Sequence, residues 1–156
     1  MKPELQNKLI EKYPLFFSHL GDKKIISELK DINLLVNQGE LVIPIQFGFE
    51  CKDGWYWLIN NLMANIYNYC EWNKIDVPSV LQIKEKFGRL CFYIQGGNEL
   101  INGMIWMAKH LSYDICEQCG TTKNVGHTEG WVYTICEQCR QTYKSAKELN
   151  WIQNEK

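Results

Sequence analysis

Apolar residues recur at helical spacing in four stretches of the chain, so each stretch is predicted to form a helix. In the clearest one, Trp55 opens a continuous apolar stripe and Asp53 suits the position that caps the first turn. Pro14 is expected to kink or end the first helix, and Asn98 to cap the fourth. A fifth helix is expected to close the chain. The predicted helices cover 4–20, 23–38, 53–73, 99–112 and 138–151. The predicted buried face of helix 99–112 comprises Ile101, Met104, Ile105, Ala108 and Leu111.

Alternating apolar and polar residues predict strands over 41–50, 79–86 and 90–95. Pro44 cannot donate a ladder hydrogen bond, which assigns the first strand to a sheet edge or a bulge. The other two strands flank a turn at Phe87-Gly88-Arg89. We therefore expect them to pair as an antiparallel hairpin.

Four of the seven cysteines form two identical Cys-Glu-Gln-Cys motifs, the first of which is followed by Gly120. The two cysteines of each motif lie on a tight turn and can coordinate one metal ion, and zinc accepts four thiolates in a tetrahedron. Because four thiolates leave no open position for water or substrate, the predicted zinc ion is structural rather than catalytic. His127 lies between the motifs and could replace one thiolate, although a solvated loop histidine is the favoured interpretation. The predicted ligands are Cys116, Cys119, Cys136 and Cys139.

These patterns together predict an α+β fold, in which a small antiparallel sheet is packed by helices and a zinc ribbon plus helix follows at the C-terminus. The character of the sequence changes near the first cysteine motif, where short polar loops replace long apolar stripes. We therefore predict a core domain over 1–112 and a zinc-ribbon module with the C-terminal helix over 113–156.

Composition and charge narrow the classes of function. The formal net charge of -1 lacks the basic excess typical of proteins that bind duplex DNA. Four acidic residues against two basic ones over 114–140 make the predicted zinc ribbon a poor surface for phosphate. The chain contains no run of about 18 apolar residues, so no membrane span is expected. No apolar signal segment follows the N-terminus, and we expect a cytoplasmic protein with reduced thiols.

Strand alternation groups polar and cationic residues on one side of the predicted hairpin. This hairpin face consists of Gln82, Lys84, Lys86, Arg89, Cys91, Tyr93 and Gln95. Its three cations and Tyr93 could hold a phosphate, a nucleotide or an acidic protein surface. The favoured alternative is the solvated side of a half-buried hairpin. Tyr56 and Trp57 could likewise stack a ligand ring, although packing in the core or an interface is the favoured interpretation.

Three motifs resemble a family of small zinc-ribbon proteins from phages, prophages and bacteria. They are GFECKDGWY at 48–56, IKEKFGRLCFY at 83–93, and CEQCG at 116–120 with the later Cys136. The family more often has glycine at the position of Arg89, arginine at Cys91 and histidine at Cys139, and the last of these is itself a zinc ligand. The resemblance implies no particular reaction. It implies an accessory protein of mobile elements that binds a host factor or a signal molecule.

The leading hypothesis is therefore a non-catalytic, zinc-stabilised accessory binding protein. Its most concrete version is an antagonist of host defence that binds a host protein or a small anionic, nucleotide-like signal. A nucleic-acid-binding accessory factor is the second hypothesis. An enzyme with an unrecognised site is the third, since no Ser-His-Asp pattern, carboxylate pair or open metal site stands out. The number of aromatic residues makes a homodimer a further hypothesis.

Overall fold

The computed structural model describes residues 1–20 and 48–154 of the chain. These residues form five α-helices and two small antiparallel sheets, which confirms the predicted α+β class. The helices are α1 (Pro3–Lys12), α2 (Tyr56–Asn73), α3 (Glu99–Leu111), α4 (Glu137–Thr142) and α5 (Lys144–Lys147). The strands are β1 (Ser79–Lys86), β2 (Arg89–Gln95), β3 (Val125–Thr128), β4 (Thr134–Cys136) and β5 (Trp151–Gln153). Short 3-10 helices span Pro14–Leu20, Asp53–Trp55 and Ser112–Asp114.

The first helix breaks at Pro14 as predicted. Helix α1 ends at Lys12, and a 3-10 helix begins at Pro14 because the proline ring cannot continue the α-helical ladder. Leu9 and Phe16 of this segment are fully buried, and the ring of Tyr13 packs edge-on against Phe16. The N-terminal segment therefore contributes to the core.

The predicted helix over 23–38 and most of the predicted strand over 41–50 lie outside the described residues. At the end of that predicted strand, Glu50 forms an isolated parallel bridge with Lys84 of β1. Its amide N–H donates to the Ile83 carbonyl oxygen, and its own carbonyl accepts from Glu85. Residues next to Glu50 thus run alongside the hairpin.

Helix α2 packs its apolar stripe into the centre of the protein. It begins after the 3-10 turn, so the prediction that Asp53 caps it is wrong. The Asp53 carboxylate instead accepts the backbone N–H of Lys2 at 2.7 Å. The helix ends where Lys74 adopts a left-handed conformation, with φ of 55°. The buried residues of α2 are Leu58, Ile59, Leu62, Met63, Ile66 and Cys70.

The predicted hairpin is formed by β1 and β2. Its turn is shorter than predicted, since Phe87 and Gly88 both have positive φ and make a two-residue turn, and Arg89 already belongs to β2. One irregularity in the ladder lies between Val80 and Gln82. The side of the hairpin that faces the core buries Val80, Ile83, Leu90 and Phe92.

Helix α3 follows the hairpin and packs against β2 and α2. The side chain of Asn98 accepts the N–H of Ile101 at 3.1 Å, which confirms the predicted cap. Ile101 and Ala108 are buried, and Met104 and Ile105 are half-buried. The inclusion of Leu111 in the buried face is wrong, because 49% of its surface is exposed.

The predicted C-terminal helix over 138–151 forms only in part, as the two short helices α4 and α5. Tyr143 has an extended backbone that separates α4 from α5, and the chain then continues as β5. Strand β5 pairs with β3, and the sheet order is β4-β3-β5. The indole of Trp151 packs into the small core and donates to the Ile135 carbonyl at 3.1 Å. Pairing and burial of Trp151 therefore replace the last helical turns.

Two hydrophobic clusters occur in the described residues. The larger one is built by α1, α2, α3 and the hairpin. The smaller one contains Cys116, Val125, Ile135, Cys136 and Ala146. The domain boundary between 112 and 113 stays a prediction. Among the described residues, no helix combines the length and apolarity needed to cross a membrane.

Candidate metal centre and the hairpin face

The four cysteines of the two motifs are brought together at one end of the small sheet. Residues 116–120, the knuckle, form a tight turn in which the Gly120 N–H donates to the Cys116 carbonyl at 2.8 Å. Gly120 has a positive φ of 79°, a conformation that glycine adopts without steric cost. Cys136 ends β4, and Cys139 follows in the first turn of α4. The Cys139 N–H points at the Cys136 sulfur, at 3.4 Å.

The geometry of the thiols fits a tetrahedral metal ion. The four sulfur atoms all lie within 4.8 Å of one another. A tetrahedron with zinc–sulfur bonds of about 2.3 Å has sulfur–sulfur edges of about 3.8 Å. The Cys119 and Cys136 sulfurs are 3.8 Å apart, and all four cysteines are free of disulfides. The cysteine group can therefore hold a metal ion such as zinc.

Burial acts against ionising these thiols unless a cation compensates. It raises the pKa of Cys116 to about 11 and also raises the pKa of Cys139. For Cys119, burial acts in the same direction, but the Thr121 N–H and the neighbouring thiols lower its pKa overall. Cys119 is also the most exposed of the four. A bound dication would stabilise all four thiolates, so metal binding should release protons.

The knuckle is packed directly against the 3-10 turn that precedes α2. A Cβ atom added to Gly54 would lie 2.2 Å from the Cys116 carbonyl oxygen and 2.5 Å from the Gly120 nitrogen. The Gly54 N–H donates to the Glu117 carbonyl at 2.8 Å, and the Trp55 indole donates to Ile115 at 2.9 Å. Only glycine at position 54 permits this approach of the two backbones.

Glu117 connects the knuckle to the rest of the protein. Its carboxylate accepts the Lys52 N–H at 2.9 Å, and its own N–H donates to the Thr134 carbonyl at 3.0 Å. The side chain is buried, and burial raises the pKa of Glu117 to about 7. Glu117 is one of the four acidic residues counted over 114–140, so the acidic surface of this segment is smaller than its composition indicated.

A second contact joins the small sheet to the tip of the hairpin, where the Thr134 hydroxyl donates to the Gly88 carbonyl at 2.5 Å. Beside it, the Leu90 N–H donates at 2.9 Å to the hydroxyl of Ser112, in the 3-10 helix that follows α3. Both donors and acceptors are buried. The metal centre is therefore tied to the core at the 53–55 turn and again at the hairpin.

The strand register places the hairpin face on one side of the sheet. The cross-strand pairs are Ser79 with Gln95, Gln82 with Tyr93, Lys84 with Cys91, and Lys86 with Arg89. Cys91 is largely buried, whereas 43% of the Tyr93 surface is exposed. Glu50 also borders this face, because its carboxylate accepts from the Gln82 amide at 2.8 Å. The sequence pattern did not place Glu50 beside the lysines, since that contact comes from a segment outside the hairpin.

Each of the three cations on the hairpin face lies over an aromatic ring. The distances to the ring centroids are 5.5 Å for Lys84 over Tyr93, 5.5 Å for Lys86 over Phe87 and 4.4 Å for Arg89 over Tyr113. The guanidinium of Arg89 therefore packs on a residue of the 3-10 helix that leads to the knuckle. The ammonium groups of the two lysines lie over rings that are exposed.

His127 lies in β3, so its assignment to a solvated loop is wrong. Its ring packs on Tyr113, with the centroids 3.6 Å apart, and Nδ1 is buried without a hydrogen-bond partner among the described residues. Burial and then the charge of Arg89 lower the pKa of His127. His127 is not part of the cysteine group, which contains four thiols and no imidazole within the described chain.

Tyr56 and Trp57 lie away from the hairpin, at the start of α2. Both border a cavity of about 280 Å³ beside the knuckle, which Cys119 also lines. Trp57 is 70% exposed, and Tyr56 is half-buried against the core. A second cavity, of about 330 Å³, adjoins the first and is lined by Met1, Lys2, Lys52, Asp53 and Gln118. The predicted aromatic residues are thus neighbours of the metal centre rather than of Lys84 and Lys86.

No family model, no curated protein and no solved structure matches the chain. The resemblance of the three motifs to phage and prophage proteins therefore stays a prediction. The motifs do meet in space, since Gly54 contacts the knuckle and Glu50 bridges to Lys84.

Proposed function

We propose that this protein is a non-catalytic binding protein whose C-terminal part is stabilised by one zinc ion. The group of four thiols within 4.8 Å of one another carries the metal part of the proposal. Zinc takes four thiolates in closed structural sites, and a closed shell leaves no coordination position for water or substrate. The ion therefore supports the fold, and we assign it no step in a reaction.

Elemental analysis of freshly purified, reduced protein tests the metal. We expect one zinc per chain in the wild type and a substoichiometric amount in Cys116→Ser, because three thiolates bind zinc more weakly than four. Cys70→Ser is the matched control, since Cys70 is buried in α2 away from the group. A metal content near zero in the wild type would show that the four thiols do not hold a metal ion. One iron per chain would show that the ion is iron rather than zinc.

We further propose that a partner binds to the hairpin face. Tyr93 and Phe87 are exposed rings beside lysine ammonium groups. Exposed aromatic side chains often dominate the energy of protein interfaces, and neighbouring lysines favour an acidic partner surface. Neither cavity described above includes a residue of the hairpin, and exposed rings beside lysines on a strand face suit a protein surface, whereas small ligands prefer cavities.

Nucleic acid is the second candidate, because bases can stack on exposed rings such as Tyr93 and Phe87. Glu50 argues against it, since a carboxylate next to Lys84 repels phosphate. The narrower proposal, a phage-type accessory protein that antagonises host defence by binding a host protein, rests on the resemblance of the three motifs. An enzyme with an unrecognised site has no supporting geometry in the described residues.

Affinity capture from a bacterial lysate tests the hairpin face when it is done with matched charge variants. Lys84→Glu with Lys86→Glu should abolish capture of an acidic protein, because both changes reverse charge beside the exposed rings. Lys144→Glu with Lys147→Glu is the control, since it makes the same charge change on α5. We expect the control to capture the partner as the wild type does.

Other outcomes of the same capture distinguish the hypotheses. Co-purifying nucleic acid that elutes steeply with salt would favour the second candidate. A partner retained equally by all three proteins would remove the hairpin face from the proposal. Loss of capture in both double variants would mean that net charge, rather than this surface, controls the interaction.

A further inference from the structure

Helix α3 exposes a continuous apolar surface. Ile101 and Ala108 face the core, yet four large apolar residues on the remaining surface of the helix are about half exposed or more. At 3.6 residues per turn, positions 100, 103, 107 and 111 follow one another along a single stripe, with 106 on its flank. This α3 outer face comprises Leu100 (52% exposed), Trp106 (63%), Met107 (55%) and Leu111 (49%). Such a stripe on a soluble helix marks an interaction surface.

Gly103 lies in the middle of this stripe and has no explanation within the described chain. Glycine weakens a helix interior relative to alanine, so it usually marks a left-handed backbone or a close contact. Gly103 has neither a positive φ nor any atom within 4 Å of an added Cβ. A second helix backbone packed closely against α3 at this point would account for the missing side chain.

The charges of α3 suit a second copy of the same helix in antiparallel orientation. Glu99 in its first turn and His110 in its last turn lie on the same flank of the stripe, whereas Lys109 lies on the far side of the helix. A two-fold axis near Gly103 would bring the acidic end of each helix to the basic end of the other and would also oppose the two helix dipoles. The same register sets Leu100 of one copy against Met107 of the other.

We propose that two copies of this protein associate through the α3 outer face, as an antiparallel helix pair with Gly103 at the centre. One helix pair buries less surface than an obligate dimer, so the dimer is reversible. The proposal concerns a different surface from the hairpin face and does not depend on a partner binding there.

Sedimentation equilibrium of the reduced, zinc-loaded full chain over a range of concentrations tests this dimer. We expect a monomer–dimer equilibrium for the wild type. Gly103→Gln and Met107→Glu should each raise the dissociation constant at least about tenfold, since a central side chain or charge is introduced into the interface. Trp72→Ala is the control, because Trp72 is 83% exposed on α2 and lies outside α3. It should leave the dissociation constant unchanged.

Thermal unfolding at low concentration separates dimer loss from misfolding. Gly103→Gln should unfold no earlier than the wild-type monomer, because glutamine favours the helix and meets no neighbour there. A wild type that is monomeric at every concentration would overturn the proposal. A dimer that both α3 variants leave intact would overturn it too, since another surface would then form the contact.

Discussion

At the scale of single residues, Gly54 is the position on which the placement of the metal centre depends most directly. The sequence showed it only as part of the GFECKDGWY motif at 48–56, where a helix was predicted to begin. In the fold, its Cα faces the Cys116 carbonyl and the Gly120 nitrogen, and both are backbone atoms. A rigid backbone cannot yield to an added methyl group in the way that a flexible side chain can.

We predict that Gly54→Ala destabilises the protein by at least about 2 kcal/mol, because the methyl group would push the knuckle away from the 53–55 turn. Urea unfolding of reduced, zinc-loaded protein measures this change. Trp57→Ala is the matched control three residues along the chain. Its side chain is 70% exposed, so its cost should stay within about 0.5 kcal/mol. Equal losses in both variants would contradict the close contact at Gly54.

His127 gives a prediction about pH. Burial and then the Arg89 guanidinium hold the pKa of His127 below its ordinary value, so the unfolded chain binds a proton more readily than the folded one. The stabilising contribution of the neutral imidazole is present above the ordinary pKa and is lost as the pH falls through the lowered one. His127→Phe keeps the ring contact with Tyr113 and removes the titrating group. The free energy of unfolding of His127→Phe minus that of the wild type should therefore be larger at about pH 5.5 than at about pH 8.

The His127 comparison is made as a difference between two proteins at each pH, measured by urea unfolding. Protonation of the thiols affects both proteins, so it cancels in the difference. A stability difference that is the same at both pH values would show that His127 does not titrate on unfolding in this range.

At the scale of elements, the sequence predicted best those segments whose pattern is long and one-sided. The stripe of α2 and the alternation of β1 and β2 each reflect burial against one large core, so all three elements form, with bounds close to those predicted. The grouping of Lys84, Lys86 and Tyr93 also follows from alternation, because the ladder irregularity lies before Lys84 and leaves the later register unchanged.

The C-terminal segment shows why the other parts of the fold could not be predicted from the sequence. Its residues favour a helix locally, but pairing with β3 is a contact between positions far apart in the chain. Gly126 permits that pairing, since an added Cβ would lie 2.2 Å from the Ile152 carbonyl oxygen. Likewise, the cysteine spacing predicted the metal ligands, but nothing local to Glu117 or Tyr113 indicated their contacts with Lys52 and Arg89.

Strand β5 is predicted to stabilise the small sheet through Trp151. Replacing Trp151 by alanine removes the indole hydrogen bond to Ile135 and the packing on the small core, and should cost about 2 kcal/mol. Ile152→Ala on the same strand is the control, because 57% of that side chain is exposed. Thermal unfolding should separate the two variants by several degrees. If both variants unfolded at the same temperature, Trp151 of β5 would contribute no specific packing.

At the scale of the whole molecule, the metal centre and the core share buried contacts rather than a linker. Gly54 and Trp55 donate hydrogen bonds to the segment 115–120, and Thr134 donates one to Gly88 of the hairpin. A change that destabilises the knuckle should therefore also destabilise α2 and the hairpin.

Removing the metal is the test of this coupling. With a strong chelator, we expect amide hydrogen exchange to accelerate over 116–142, where the ligands lie. We also expect acceleration at Gly54, whose N–H donates to the Glu117 carbonyl, and at Leu90, which lies two residues from Gly88, the acceptor of the Thr134 hydroxyl. Exchange of amides in the middle of α1, which is remote in sequence from the metal centre, is the internal reference. Acceleration confined to 116–142 would mean that the zinc-ribbon part unfolds alone and that the boundary near residue 112 separates independent domains. Acceleration at Gly54 and Leu90 together with the ligand loops would instead mean that the metal ion contributes to the stability of the surface at which we propose the partner binds.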